Sequence, residues 1–549
     1  MTADLQERPT GAPAADRPRR WVVPLLVLVL LGQMAAVMVT TAVQQTPTID
    51  EPVYVGTAVT YLEQHRVRYN PEHPPLGKEF MAIGLAFASP RLDPAFRGDQ
   101  TALGRHVLYE SGNDPYEVML LARLPMIILT LLFGLVVFAF ARDLTGAAGG
   151  VLALALYAFS PDVIAHGSLA TLDVPAIGFL LTAVWLTWRA RDRPLRYLPL
   201  AGLALGAAVA TRMSVLPAVP VVLLLALLAT SSWRRGVPAR ERLRGVALVA
   251  AVAVAAVLVV WLSYLVVDPG LRWTEPAGTP VVHGVRGLLT GWLPLPESYR
   301  DGMRIQFGFE DSTFSGFLFG RHYQGSLWYY LPAALLVKTP LGMLVLWLAG
   351  AVAMLAVPRL RTAALYVLVL PALLLAVAMT GARDFGTRYA IFMPIFLAVA
   401  AAAVVALRWR WAHLSAAVLA AFVAVSSLRT FPYYLPYSNE AFGGPARTHL
   451  RLHDSNVDWG QDLGRLADRL RERYPGEPVW LVYKGAGVPR AYGIQARDPL
   501  RVPAGDVHGL LVVSDSSIAK ATGRLATLLG ASGEPIDEVG HSISIFRRP

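Results

Sequence analysis

The sequence has 549 residues, of which 55% are hydrophobic and 16% are charged. Soluble globular proteins carry about 25% charged residues, so this composition argues against a purely soluble enzyme, and the high hydrophobicity excludes a disordered chain. The net charge is +11, from 49 Lys and Arg against 38 Asp and Glu. There is no cysteine, which excludes disulfides and thiolate metal sites.

The first apolar stretch, residues 21–43, follows Arg17, Arg19 and Arg20. A secretory signal peptide is the alternative interpretation, but the stretch is too long for one and no small-residue cleavage site follows it. The sequence therefore predicts a retained membrane helix, with residues 1–20 as a cytoplasmic tail.

Further apolar stretches approach the roughly 17–25 residues that a helix needs to cross a bilayer. They are residues 118–141, 148–165, 175–189, 197–212, 215–231, 245–267, 326–357, 363–380, 389–407 and 411–428. Those within 148–165 and 197–231 are short and interrupted by Gly or Pro, so a re-entrant path is the alternative there. The stretch 326–357 should bend near Pro340, because proline removes a backbone donor. The sequence thus predicts about eleven spans.

Arginine placement orients these spans. Every second loop lies on the same side of the membrane as the N-terminus, and these loops are 142–143, 189–196, 234–244, 359–361 and 408–410. All but the first carry more Arg than acid. This positive-inside pattern predicts a multi-pass plasma-membrane protein with its N-terminus in the cytoplasm. Charge spread over short loops, with no gathered basic face, also excludes nucleic acid as a partner.

Three long segments then fall outside the membrane: residues 44–116, 268–325 and 429–549. The last has short apolar runs at 479–483, 509–514 and 543–546 and helical patterns at 461–474 and 518–529. Strands alternating with helices predict a small extracytoplasmic α/β domain over residues 429–549. Residues 21–428 form the predicted polytopic helical membrane domain.

Two adjacent acids, Asp50 and Glu51, come directly after the first span. Carboxylates next to a membrane helix are costly unless they are solvated or functional. The alternative is a helix start, with Thr48 or Asp50 as the cap, Pro52 in the first turn and acids favoured by the helix dipole.

The same loop contains His73 beside a Pro-Pro pair, and Lys78 at the start of a short apolar helix predicted at 79–88 in the membrane interface. A lysine at a helix start opposes the dipole, which indicates an anionic ligand. The alternative is nonspecific contact with lipid headgroups.

These motifs resemble the protein O-mannosyltransferases and their bacterial relatives in glycosyltransferase family 39, part of the GT-C superfamily, with the lipid A aminoarabinose transferase as a more distant relative. The resemblance rests on an ordered set along most of the chain: Asp50-Glu51, His73-Pro74-Pro75-Leu76-Gly77-Lys78, Arg123-Leu124-Pro125, 160–175, 202–212, Trp328 to Pro332, Lys338-Thr339-Pro340, Gly386-Thr387-Arg388-Tyr389 and Asp454 to Asp462.

The resemblance implies a GT-C fold and the transfer of a sugar from a polyprenyl-phosphate carrier to an acceptor hydroxyl outside the membrane. By its match to the family's catalytic aspartate, Asp50 is expected to be the general base, and Glu51 to position it or the acceptor. Charge developing on the leaving lipid phosphate calls for fixed cations, for which Lys78 and Arg123 are the expected pair.

Other candidate ligands have equally plausible structural roles. Arg212 and Arg388, at outer span ends, either bind the phosphate or extend to the headgroups. His73 either bonds a donor oxygen or packs on the Pro-Pro turn. His166 and Asp173 either bind the sugar, the acceptor or a cation, or cap helices. Metal use stays open, since these ligands are too few to argue for an ion.

The segment 268–325 is too short for the MIR domain of eukaryotic protein mannosyltransferases, which favours the bacterial branch and weakens the case for a protein acceptor. The sequence leaves open a hexose or pentose donor and a glycan, lipid or protein acceptor. A transporter or flippase of an anionic lipid-linked sugar is an alternative function, although the polar residues lie at span ends. A polysaccharide polymerase or ligase is another.

Overall fold

The computed structural model describes residues 21–230 and 237–549. The predicted cytoplasmic tail 1–20, with Arg17, Arg19 and Arg20, lies outside the described residues, as does the first part of the loop 234–244.

The described α-helices are α1 (Val22–Gln44), α2 (Glu51–Gln64), α3 (Leu76–Leu85), α4 (Gln100–Arg105), α5 (Pro115–Thr145), α6 (Ala147–Ala158), α7 (Pro161–Gly167), α8 (Asp173–Arg189), α9 (Pro194–Thr211), α10 (Ala218–Ala229), α11 (Ala239–Val267), α12 (Gly284–Trp292), α13 (Glu297–Glu310), α14 (Tyr330–Lys338), α15 (Leu341–Ala356), α16 (Arg361–Val367), α17 (Val369–Ala378), α18 (Phe392–Ala401), α19 (Ala412–Thr430), α20 (Leu463–Arg473), α21 (Asp515–Ala519) and α22 (Gly523–Gly530). Every predicted span coincides with a helix or a pair of helices, which confirms a polytopic helical fold.

The number of spans depends on how broken helices are counted. Among the described residues, six helices are long and apolar enough to cross a membrane, and eight are if each bent pair is one span. The remaining predicted spans coincide with the shorter helices α8, α10 and α18. The count of about eleven therefore stays a prediction.

Both bent pairs deliver polar residues to the region of the acid pair. Helices α6 and α7 meet at 61°, and α14 and α15 meet at 118°. The second bend lies at Thr339-Pro340, where the sequence predicts it, and α14 ends with the buried Lys338. A break in a membrane helix frees backbone groups, which is tolerated where protein surrounds them.

The three long segments predicted to lie outside contact one another at one end of the helix bundle. Strands β1 (Ser315–Leu318) and β2 (Arg321–Gln324) form a hairpin. Phe319, in the turn between them, donates through its N–H to the Arg451 carbonyl at 2.8 Å. The Gln306 side chain donates to the Glu72 carbonyl at 3.0 Å. These contacts bring the three segments together at one end of the bundle, and their extracytoplasmic location stays a prediction.

The tail carries a five-stranded sheet in the order β4-β3-β5-β7-β6. Its strands are β3 (Val479–Val482), β4 (Ala496–Arg497), β5 (Gly509–Ser514), β6 (Asp537–Val539) and β7 (Ile543–Arg548). Alternating side chains of β5 point to opposite faces, so Leu510 packs with α20 and Leu511 packs with α22. The predicted α/β tail is confirmed, with two short edge strands that the apolar pattern does not show. Its boundary at residue 429 stays a prediction.

Candidate active site

The two adjacent acids have opposite surroundings. Asp50 immediately precedes α2, and its side chain is 28% exposed and pairs through Oδ2 with Nη1 of Arg388. Glu51 opens α2 and is completely buried. No hydrogen bond to Asp50 Oδ1 is present within the described parts of the chain, so this oxygen is free to meet a ligand.

Both oxygens of Glu51 are fully used. Oε1 accepts from Arg123 Nε at 2.7 Å and from the Ala170 N–H at 2.7 Å. Oε2 accepts from Arg123 Nη2 at 2.6 Å and from the Thr48 N–H at 2.9 Å. Burial raises the pKa of Glu51, but the Arg123 charge and these hydrogen bonds more than offset it, so the net pKa lies below its usual value.

The Arg123 guanidinium is also closed. Besides Glu51, it donates to the carbonyls of Ala42 at 2.7 Å, Gln45 at 2.8 Å and Thr46 at 3.2 Å. These bonds use all of its N–H donors and tie the end of α1 to α5. A direct contact of Arg123 with the donor phosphate, as the sequence leads us to expect, would require breaking this network.

Lys78 has a similarly complete shell. It is buried, and its Nζ donates to the Asn70 carbonyl and side chain, both at 3.0 Å, and to the His73 carbonyl at 2.7 Å. Burial lowers the pKa of Lys78 to about 7, with Glu72 and Glu79 opposing that effect. In this arrangement the lysine fixes the loop that carries His73.

Three arginines surround one aromatic ring. The Cζ atoms of Arg212, Arg383 and Arg388 lie 5.9, 5.9 and 5.0 Å from the centre of the Tyr389 ring. The Nε groups of Arg383 and Arg388 are buried without a hydrogen-bond partner among the residues that the structure describes. Convergent guanidinium groups with unused donors are the arrangement that binds a phosphate.

Each arginine in this cluster has one carboxylate neighbour. Asp173 pairs with Arg212, and Glu310 accepts from Arg383 Nη2 at 2.7 Å. Asp50 is the partner of Arg388. The predicted site residues Asp50, Asp173, Arg212 and Arg388 therefore belong to one charged cluster.

His73 faces the same cluster. Its ring meets the edge of Tyr54 at 5.5 Å between centres, and its Nδ1 is buried without a partner. Burial, followed by the charges of Arg212 and Lys78, holds the pKa of His73 well below its usual value. The His73 ring thus has one buried nitrogen to which no described residue forms a hydrogen bond.

His166 lies deeper, in α7. It is 1% exposed, neither ring nitrogen has a hydrogen-bond partner in the described part of the chain, and its ring centre is 6.0 Å from that of Trp459. Trp459 in turn packs on Arg388 at 4.4 Å. His166 is thus connected to the cluster through an aromatic side chain of the tail.

Four residues of this region are absent from the predicted site: Lys338, Arg383, Tyr389 and Trp459. Lys338, Tyr389 and Trp459 do occur in the sequence motifs, but the two aromatic side chains give no chemical signal there. Arg383 lies outside all the sequence motifs, so the sequence does not indicate it. Lys338 is buried 3.6 Å from Asp162, which explains an otherwise costly lysine in an apolar stretch.

Within residues 21–230 and 237–549, no group of three or more His, Asp or Glu side chains is arranged to hold a metal ion. The question of metal use is therefore as open as the sequence leaves it.

Comparison with known families gives one match. The family model described as dolichyl-phosphate-mannose-protein mannosyltransferase matches residues 117–262, which run from α5 to α11. A search of curated protein sequences finds no match.

Solved structures give a likeness over nearly the whole chain. ArnT from Cupriavidus metallidurans in the apo state is 14% identical, with a TM-score of 0.50 over 95% of this chain and 97% of that one. The same protein bound to undecaprenyl phosphate gives a TM-score of 0.49 at the same identity and coverage.

The S. cerevisiae protein O-mannosyltransferase Pmt1-Pmt2 complex bound to the sugar donor is 17% identical over 45% of this chain and 33% of that one, with a TM-score of 0.35. Membership of the bacterial branch stays a prediction, but the resemblance read from the motifs is confirmed at the level of the superfamily. The chain has the fold of the GT-C membrane glycosyltransferases.

Proposed function

We propose that this protein transfers a hexose or pentose from a polyprenyl-phosphate donor to an acceptor hydroxyl at the outer face of the membrane, with inversion at the anomeric carbon. The matching family model supports a donor of this class, because its description names dolichyl-phosphate-mannose. A shared fold supports a glycosyltransferase but is silent on the sugar and the acceptor.

The observation that carries the proposal is a half-open carboxylate beside a cluster of arginines. The Asp50 side chain is 28% exposed and one of its oxygens has no hydrogen bond among the described residues, while Arg388 on the other oxygen belongs to the group of three guanidinium ions around Tyr389. A general base next to a phosphate site is what transfer from a lipid phosphate needs.

In the proposed step, Asp50 takes the proton of the acceptor hydroxyl while the hydroxyl oxygen forms a bond to the anomeric carbon. The bond from that carbon to the phosphate oxygen breaks, and its electron pair stays on the phosphate. The carrier phosphate thereby changes from a diester with one negative charge to a monoester with up to two. Arg212, Arg383 and Arg388 stabilise this added charge.

The remaining predicted residues take indirect or sugar-facing roles in this proposal. Arg123 and Lys78 act through Glu51 and the His73 loop, because their own donors are already used. His73 and His166 have free ring nitrogens for oxygens of the donor or the acceptor. Asp173 orients Arg212.

The test is an Asp50→Asn variant reconstituted in lipid vesicles with a polyprenyl-phosphate sugar. Loss of a general base should lower the transfer rate by about 10²–10⁴-fold, while binding of polyprenyl phosphate is kept. Asp143→Asn is the matched control, since Asp143 also pairs with an arginine, Arg189 at 3.2 Å.

Full transfer by Asp50→Asn would refute the assigned base. Movement of the donor across the vesicle membrane without any glycosylated product, by the wild-type protein, would refute the proposed function in favour of a flippase.

A further inference from the structure

A turn of the tail, residues 457–462, lies directly against the chain that carries Asp50. The Ile49 N–H donates to the Trp459 carbonyl and the Thr46 N–H donates to the Gln461 carbonyl, both at 3.0 Å. The Thr46 hydroxyl donates to the Gly460 carbonyl at 3.0 Å and accepts from the Leu463 N–H at 3.2 Å. Two backbone N–H groups between α1 and α2, those of Thr46 and Ile49, therefore donate to the tail, and the second belongs to the residue before Asp50.

The Trp459 side chain of this turn contacts Arg388, the partner of Asp50 in the proposed catalytic pair. The Trp459 indole is 1% exposed and lies 4.4 Å from the Arg388 guanidinium. Tyr389 contacts the same guanidinium at 5.0 Å. Arg388 is thus confined by two aromatic rings while it pairs with Asp50.

The turn is itself fixed by the tail domain. Gln461 closes it, accepting from the Trp459 N–H at 2.8 Å and donating to the Val457 carbonyl at 3.0 Å. Ser516, in α21, donates through its hydroxyl to the Asp458 carbonyl at 3.1 Å and through its N–H to the Asp458 side chain at 3.3 Å. A rigid chain of contacts runs from the α/β domain to Asp50.

From these contacts we infer that the α/β tail completes the catalytic site, and that Trp459 is a positioning residue for the Asp50–Arg388 pair. This inference rests on the proposed function, because it assigns a purpose to the geometry of that pair. The tail acts on orientation: a general base must point at the acceptor hydroxyl, and a small displacement costs rate more than it costs binding.

Three purified full-length variants test the inference with the polyprenyl-phosphate assay. Trp459→Leu removes the ring and should lower kcat by about 10–100-fold, with the KM for the donor within about 3-fold, since Arg212 and Arg383 remain. Trp459→Phe keeps an aromatic face on Arg388 and should recover most of the rate. Trp480→Leu is the matched control, because Trp480 is another buried tail tryptophan that packs in a core of the sheet, whereas Trp459 packs with the helix bundle.

A fourth variant, Gln461→Met, keeps the test informative if Trp459→Leu does not fold. Gln461→Met leaves the indole but opens the turn, and it should lower kcat less than Trp459→Leu does while leaving KM unchanged. Equal loss of rate in Trp480→Leu and Trp459→Leu would overturn the inference, because both would then report only a weakened tail.

Hydrogen exchange gives a readout that does not require activity. In Trp459→Leu and Gln461→Met, the amides of residues 46–49 should exchange faster, whereas in Trp480→Leu they should not. Unchanged exchange together with full kcat in Trp459→Leu overturns the inference and leaves the proposed function standing if Asp50→Asn is inactive. If the two variants show faster exchange but the wild-type protein never transfers sugar, the contact between the tail and the Asp50 segment is supported and the proposed function is refuted instead.

Discussion

Asp50 and Glu51 are neighbours in sequence and each pairs with an arginine, but the two pairs have different architectures. Glu51 and Arg123 are closed: every oxygen and every N–H has a protein partner, and both side chains are at most 1% exposed. Asp50 and Arg388 are open, with a free carboxylate oxygen and a buried Nε that lacks a partner. The comparison indicates that the closed pair holds the chain in place and the open pair is left for chemistry.

The same contrast divides the cations. Lys78 and Arg123 have complete hydrogen-bond shells, whereas Arg383 and Arg388 around Tyr389 keep unused donors. A cation whose donors are filled by backbone carbonyls stabilises a loop, and one with unused donors near a second cation binds an anion. The proposed phosphate site therefore rests on unfilled donors and not on the position of a basic residue in a motif.

The largest expected effect comes from breaking the closed pair. Glu51→Gln leaves the buried Arg123 charge without its partner, which should destabilise the protein by about 3–5 kcal/mol. Asp50→Asn, in the open pair, should destabilise the protein less, by about 1–3 kcal/mol, because Asp50 is 28% exposed and its side chain accepts from Arg388 alone among the described residues. Thermal unfolding of the wild-type protein and the two variants in one detergent measures both stability changes.

If the two acids had the same role, these two variants would lose stability to a similar extent. A stable Glu51→Gln protein beside an unstable Asp50→Asn protein would reverse the comparison.

A smaller effect is expected within the open pair. Arg388→Lys keeps the charge but loses the planar group between Tyr389 and Trp459 and the fork that meets a phosphate, so kcat/KM should fall by about 10–100-fold, or about 1.4–2.7 kcal/mol. Steady-state transfer rates measure this, with protein folding checked by unfolding temperature.

Arg123→Lys is the matching change in the closed pair. It should lower stability more than it lowers kcat/KM, since the lost donors serve Glu51 and the carbonyls of α1. An Arg388→Lys variant with a full rate would show that the guanidinium of Arg388 is not used in transfer.

Much of the fold could be predicted from hydropathy, because burial in a bilayer demands long apolar segments. The bend at Pro340 also follows from local chemistry, since proline lacks a backbone donor. The shorter helices α8, α10 and α18 are harder to interpret, because an apolar run has the same composition whether it crosses a bilayer or lies inside a protein. The edge strands of the tail, at two and three residues, are too short to produce a periodic pattern.

The site is predicted less completely than the fold. The acid pair, His73, Arg212 and Arg388 can be found by motif, but their juxtaposition depends on contacts across the chain: Arg388 is 338 positions from Asp50. A motif marks a basic residue without showing how many acceptors surround it, so the filled donors of Lys78 and Arg123 are invisible in the sequence. The role of Trp459 requires the tail to fold back on the first loop.

The smallest expected effect concerns Lys78 and its pH dependence. Burial lowers the pKa of Lys78 to about 7, whereas an unfolded lysine titrates near about 10.4. Between these values the unfolded chain holds a proton that the folded protein does not, so the stability contributed by Lys78 rises with pH and is lost as pH falls through 7. Comparing wild type with Lys78→Met, the stability difference should move in favour of wild type by about 1 kcal/mol from pH 7 to pH 8.

Lys520, whose pKa burial lowers to about 8, is present in both proteins, so its contribution cancels in this difference. Unfolding temperatures of the two proteins at both pH values supply the comparison. A difference that does not change with pH would mean that the Lys78 ammonium keeps its charge in the folded protein. Lys78 would still belong to the closed group in that case, because an ammonium has three donors and all three are bonded to Asn70 and His73.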